Sequence, residues 1–435
     1  MDKAESLYEQ LEHLPKGYIS KKKIKGKTYF YLQYLENGKL KSKYIHQEEL
    51  DAVKEGLEKR SAIEKELKAI KSNAAPLPKL SSRAKKFTGC LMSGERVAAK
   101  FSEGSLAYMD ESICPLYIKR TGNIEKFMEG RCLDLSRPNA RILLKFLGIS
   151  NRSESLIPLY SYGACISDDY WFKPSGSKKT YEDIRFDNDL FSDIALDGGI
   201  PQLGGFASPS PELTNIGSFE KCWKLIDGEW WMVKKGDEDQ IFSELFSSRL
   251  AEKLGIPTAA YEYDGGKVKT KNFASECNFE PAYALCDDEE DYAYVFDTLK
   301  QLGDEIAQAY VVLLFFDALV YNVDRHNNNY GVLRDKSTGR ILSLAPNFDN
   351  NLSLLAFNKT LSQDSKSDPS MKMFTDFLRD KPEALSLFRS SRINAIDEQD
   401  VREIIASIPV QRDVDKITKF ILSRYAYLME IKRGR

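Results

Sequence analysis

Residues 317–354, DALVYNVDRHNNNYGVLRDKSTGRILSLAPNFDNNLSL, constrain the fold more than any other part of the chain. The apolar run over 309–321 is broken once, by Asp317, and falls short of the roughly 20 apolar residues a membrane span needs. It therefore reads as a buried helix. A polar loop over 322–329 follows, and two short apolar runs, 330–334 and 341–345, flank a turn at 335–340 and predict a hairpin. Centred on that turn, the hairpin sets Asn329 opposite Pro346, and Asp349 lies just beyond the same open end. At a rise of about 3.3 Å per residue, both side chains fall within reach of one site.

Two oxygen donors on converging segments are what a hard divalent cation takes from a protein when phosphate oxygens and water complete its shell. Asn329 and Asp349 fit that need as magnesium ligands. Asp324 precedes Asn329 in the loop and is placed to orient an acceptor hydroxyl, or take its proton, for attack on a terminal phosphate. His326 is expected to brace this loop at the edge of a nucleotide site, and the absence of His or Cys partners nearby argues against a metal ligand. Singly, each of these residues also suits an ordinary loop. It is the spacing D-x-x-x-x-N, the hairpin and the later aspartate together that point to phosphate chemistry.

A second hairpin is predicted over 221–235, where Asp227-Gly228 forms a two-residue turn. Counting back from that turn sets Lys221 opposite Lys234 on one face. Two facing ammonium groups repel unless an anion joins them. Upstream, Gly217 and Ser218 end the run TNIGS, as a turn folding over a phosphate does. Downstream, the apolar spacing of Ile241, Leu245 and Leu250 predicts a helix closed by Gly255 and Pro257, and Glu244 within it is placed to hold one of the lysines, although a surface position is the simpler reading of that residue alone.

The N-terminal part has a different character. The whole chain carries 63 Lys and Arg against 65 Asp and Glu, a net charge of -2. Residues 16–45 alone hold nine lysines and one acid, Glu36. Alternating apolar residues and the turn signals Lys25-Gly26 and Asn37-Gly38 predict a three-stranded meander, with a helix over 47–71. The prolines and small residues of 73–86 read as a linker. Residues 87–205 show no clean period apart from a helix near 139–147, and the tail from 371 reads as several helices. Seven cysteines without a C-x-x-C pair are expected to be reduced thiols. No secretory signal is evident, so a cytoplasmic, membrane-free location is expected.

The segments TNIGSFEKCWKL, MVKKG, SELFSSRLAEKLGI, DRHNNN and LAPNFDNNLSL resemble the HipA-like kinase family across roughly residues 205–355. The resemblance implies transfer of the ATP gamma-phosphate to a Ser or Thr hydroxyl of a protein. By position it implies that Lys234 contacts ATP phosphates, Asp324 is the catalytic aspartate, and Asn329 and Asp349 bind magnesium. The implied fold is α+β and two-lobed: a small antiparallel sheet lobe over 206–273 and a mostly helical lobe over 274–435. Residues 87–205 are a family-associated region, and the module 1–72 is additional. That module resembles the small three-stranded arms that help integrases grip DNA, so DNA or RNA is an expected partner through residues 16–45, with a protein-docking surface as the alternative. A small-molecule or lipid phosphotransferase, or a nucleotide-sensing regulator without catalysis, remains an alternative to the protein kinase. Phosphorylation of Ser208, Ser210, Thr214 or Ser218 beside the glycine turn is an expected control.

Overall fold

A computed structural model describes residues 10, 13–24, 27–36, 39–72, 87–102, 105–150, 153–198, 209–354, 361 and 368–434. The chain divides into two compact units: 1–79 with 144–149 and 199–208, and 80–143 with 150–198 and 209–435. The expected linker 73–86, the turn residues Lys25-Gly26 and Asn37-Gly38, and Ser208 lie outside the described residues.

In the first unit, β1 (Tyr18–Ile24), β2 (Lys27–Glu36) and β3 (Lys39–Ile45) form the expected antiparallel meander. Glu36 pairs with Lys39, the register a two-residue connection requires. The helix α1 (Leu50–Ser72) follows; its Arg60 donates to the Leu14 carbonyl at 3.0 Å, tying the helix to the lead-in of the sheet.

The second unit opens with a sheet over residues that showed no period. Strands β4 (Gly89–Ser93), β5 (Arg96–Ser102), β6 (Ser105–Tyr108) and β7 (Tyr170–Pro174) are ordered β6-β5-β4-β7. Leu91, Ala99 and Phe172 are buried on one side of it and Met92 and Trp171 on the other, so these strands carry apolar residues on both faces and show no period-2 alternation.

Next come β8 (Lys221–Ile226) and β9 (Glu229–Lys235), paired as counted: Ile226 with Glu229 and Lys221 with Lys234. Asp227 and Gly228 both have positive φ (51° and 79°), the conformation that lets a two-residue turn follow the strand twist. Strands β10 (Tyr261–Tyr263) and β11 (Lys267–Lys271) complete the order β10-β11-β9-β8. The helix α2 (Glu238–Lys253) begins in a capping box between Asp237 and Gln240, and Ile241, Leu245 and Leu250 are buried.

Beyond residue 274 the chain is not only helical. β12 (Cys277–Pro281), β13 (Gly331–Asp335) and β14 (Ile341–Leu344) form a third sheet of this unit. Its β13–β14 hairpin carries an irregularity at Leu333/Arg334: Arg334 pairs with Ile341, but Val332 pairs with Leu344. The extra residue shifts the open end by one, so Asn329 falls level with Asn347 instead of Pro346. The helices α3 (Tyr292–Lys300), α4 (Asp304–Val320), α5 (Pro369–Asp380), α6 (Pro382–Ser390), α7 (Glu398–Ala406) and α8 (Val414–Arg433) bury one continuous core that includes Phe296, Leu314, Phe315, Phe374, Phe388 and Ile421. Among the described residues no helix is long and apolar enough to cross a membrane. All seven cysteines are free thiols.

Candidate functional site

Because the Asp-Gly turn fixes the register, Lys221 and Lys234 project from the same face of the β8–β9 hairpin. A cleft of about 560 Å³ is lined by both lysines together with Gly217, Ser218, Asp324, His326, Asn329 and Asp349. Glu244 stands behind it. This residue is fully buried on α2, not at the surface, with one carboxylate oxygen 3.9 Å from Lys234 Nζ and the other accepting the Asn350 N–H at 3.1 Å. Eight of the nine residues singled out in the sequence thus face one cleft, and the ninth supports it.

The ammonium of Lys234 donates to Asp349 Oδ1 at 2.7 Å and to the Tyr261 hydroxyl at 3.2 Å. Burial works against its charge, but the Asp349 and Glu244 carboxylates raise its pKa well above the ordinary lysine value. Burial likewise works against the Asp349 carboxylate, while Lys234 and Lys221 hold it below the usual carboxylate range. Among the described residues Lys221 makes no such close pair, and burial pushes its pKa down to about 7 against the pull of Asp349. The repulsion expected between the two lysines is therefore relieved by an anion the chain supplies itself, chiefly at Lys234.

Arg325 joins the two oxygen-bearing segments. Its guanidinium donates to the backbone carbonyls of Asn329 and Phe348, each at 2.8 Å through one nitrogen, and to Asn347 Oδ1 and Asn350 Oδ1. The carbonyl oxygens of Asn329, just before β13, and of Phe348, just before Asp349, are thereby held within two hydrogen-bond lengths of each other. Behind it, Asp317 receives Arg325 Nε at 2.9 Å and Nη2 at 2.8 Å, and this explains the one charge in the apolar run 309–321 of α4. A buried carboxylate needs such a partner. Asp349 itself has φ 61°, a left-handed conformation that Asp tolerates better than most residues.

Arg325 ties the two loops together, while among the described residues His326 makes hydrogen bonds only within its own loop. His326 Nδ1 accepts only the Asn328 N–H, at 3.3 Å. Asn329 donates its side-chain nitrogen to the Asp324 carbonyl at 2.9 Å, which leaves its Oδ1 as the atom able to meet a cation. Asp324 is half-buried, and among the described residues nothing donates to its carboxylate oxygens. Burial holds its pKa above the usual carboxylate value, and His326 offsets this in part. No group of three or more His, Cys, Asp or Glu is placed to hold a metal ion among the described residues, so a cation here would draw on Asn329, Asp349 and oxygens from a bound ligand.

Gly217 has φ 109°, and a Cβ there would run into the Lys221 ammonium. Ser218 is exposed in the same turn. The turn is shaped from below by residues the sequence did not signal. Glu212 accepts the Trp223 N–H at 2.7 Å and Asn215 Nδ2 at 2.9 Å, and Arg137 donates to the carbonyls of Asn215 and Gly217. Of the expected phosphorylation sites, Ser210 and Thr214 are buried, with Ser210 Oγ capping Glu212 and Thr214 Oγ1 donating to the Ala164 carbonyl at 2.6 Å, whereas Ser218 is exposed. Tyr261 and Arg137 carry no local signal because they reach the site only through sheet pairing and loop packing. Arg325 was signalled indirectly, by the lone Asp317.

A family model described as a domain of unknown function (DUF6788) matches residues 2–55. No curated protein matches the chain. Among solved structures the chain is similar to the proinflammatory kinase CtkA of Helicobacter pylori, at 18% identity and a TM-score of 0.40 over 50% of this chain and 91% of that one. The chain is also similar, at 14% identity and a TM-score of 0.48 over 80% of its length and 97% of the other, to a structure from Shewanella oneidensis MR-1 of the toxin–antitoxin system HipA, HipB and its operator DNA.

Proposed function

We propose that the second unit is a two-lobed, ATP-dependent phosphotransferase that moves the gamma-phosphate of Mg-ATP to a serine or threonine hydroxyl of a protein. One observation carries this reading: two lysines on a hairpin, an asparagine and an aspartate on converging loops, and a carboxylate that no group among the described residues donates to line a single cleft. Lys234 and Lys221 supply positive charge for the phosphates. Asn329 and Asp349 would hold magnesium, which when bound neutralises charge on the phosphates. Lys234 and Arg325 keep Asp349 in place. Asp324 takes the proton of the acceptor hydroxyl as the acceptor oxygen bonds to the gamma-phosphorus and the bond to the bridging oxygen breaks, releasing ADP. Catalysis on this reading is positioning and electrostatics, as phosphoryl transfer requires.

The test is incubation of the whole chain with gamma-labelled ATP and magnesium, with protein, small alcohols and lipids offered as acceptors in parallel. Label on protein serine or threonine, lost in Asp324→Asn, supports the reading. Label only on a small alcohol or lipid would overturn the acceptor class; failure to bind ATP would overturn the whole assignment.

For the lysine-rich module we propose contact with nucleic acid. The rings of Tyr29, Tyr31, Tyr44 and His46 cluster on one side of the sheet, with centroids 5.0 to 6.2 Å apart, and Tyr44 and Tyr18 are well exposed. Exposed aromatic rings on a strongly basic sheet suit stacked bases and phosphates together. Binding to labelled single-stranded and duplex oligonucleotides, measured against salt, should weaken steeply as salt rises; affinity absent at low salt would exclude nucleic acid.

A further inference from the structure

Residues 131–139, in the stretch whose sequence showed no functional pattern, wrap the underside of the glycine turn. Leu133 donates its N–H to the Leu213 carbonyl, and Asn139 Nδ2 lies 3.4 Å from Glu220 Oε1. Between them, the Arg137 side chain is only 3% exposed and spends its guanidinium on backbone alone. Nη2 donates to the carbonyls of Asn215 at 2.5 Å and Gly217 at 2.7 Å, Nε to Gly217 at 3.1 Å, and Nη1 reaches the Lys221 carbonyl at 3.4 Å. One cation thus gathers three carbonyl oxygens from the two ends of the turn.

We propose that Arg137 is the positioning residue of the phosphate site. This rests on the nucleotide reading of the cleft. A carbonyl oxygen facing a phosphate repels it, and at this turn three of them bond to Arg137 instead. By drawing the oxygens of Asn215, Gly217 and Lys221 toward itself, Arg137 turns the electronegative side of the loop away from the cleft. It also anchors the start of β8, so that the Lys221 ammonium lies against Gly217. Glycine is favoured there because φ is 109°, a conformation L side chains rarely adopt, and a Cβ would displace that ammonium. Arg suits the role better than Lys, because its planar fork presents donors on three separate nitrogens and so reaches carbonyls that lie apart from one another. Arg137 touches no ligand itself; it acts through the turn.

The test compares the wild-type chain with Arg137→Gln and Arg137→Lys in calorimetric binding of Mg-ATP and of adenosine, which has no phosphates. Both variants are expected to lose at least about tenfold in ATP affinity, the loss of one or two charge-assisted bonds, with adenosine affinity unchanged. In turnover, KM for ATP should rise more than kcat falls. Equal losses for ATP and adenosine would show a general folding role and overturn the inference, as would no loss for either. Arg137→Lys keeps the charge and most of the volume, so it decides the question if Arg137→Gln fails to fold. A wild-type chain that binds no ATP would instead sink the nucleotide reading, and the two failures are thus distinguishable.

Discussion

Lys234 Nζ lies 2.7 Å from Asp349 Oδ1, across 115 residues of chain. The cation expected to meet phosphates and the carboxylate expected to meet magnesium are paired with each other, and Glu244 stands in reserve at 3.9 Å. On the proposed function Asp349 has two tasks, one in stability and one in chemistry, and they are separable.

Replacing Asp349 with Asn removes the charge but keeps an acceptor for Lys234. Glu244 remains as a second carboxylate, so the expected destabilisation is about 1–3 kcal/mol, the range for a buried donor losing part of its partner. Magnesium-dependent phosphate transfer is expected to fall at least about a hundredfold. Urea unfolding and transfer assays on the same preparation check both; an undiminished rate would remove Asp349 from the site.

Arg325 and Asp317 form a buried ion pair whose arginine also holds both loops of the site. Arg325→Met leaves Asp317 buried and unpaired, with an expected cost of about 3–5 kcal/mol. The double variant Arg325→Met, Asp317→Leu should regain much of that stability but none of the activity, because the carbonyls of Asn329 and Phe348 stay untied. Recovery of activity in the double variant would show that Arg325 does not position the site.

Lys221 gives a pH dependence with a definite sign. Burial lowers its pKa to about 7 in the folded, ligand-free chain, while the unfolded lysine titrates near 10.4. Between these values the unfolded chain binds more protons, so this residue's contribution makes stability rise with pH from about 7 toward 10. A phosphate bound beside it would favour the charged form. ATP binding is thus expected to take up protons at pH 8, measurable by calorimetry in buffers of different ionisation enthalpy, and Lys221→Met should abolish that uptake. Equal uptake in the variant would place the phosphates elsewhere.

Asp324 lies in the cleft with no donor to its carboxylate among the described residues. Asp324→Asn is expected to leave ATP affinity within about threefold of wild type while lowering the transfer rate at least about a hundredfold, the span of general-base catalysis. A matching loss of ATP affinity would mean that Asp324 belongs to nucleotide binding.

Local chemistry in the sequence was enough to set the Asp227-Gly228 hairpin and with it the facing lysines, because a two-residue turn leaves one register. It also set the pairing of Glu36 with Lys39, the capped helix carrying Glu244, and the buried helix interrupted by Asp317. What it left undecided depends on contacts between distant segments. The sheet over 89–174 has apolar residues on both faces and so no alternating pattern, and the bulge at Leu333/Arg334 moved the open end of its hairpin by one residue. Only the folded chain showed that Glu244 is buried, that Arg325 and not His326 ties the loops, and that Arg137 holds the glycine turn. Turns and caps act over a few residues and are written in them, whereas a buried charge finds its partner only after the chain has closed around it.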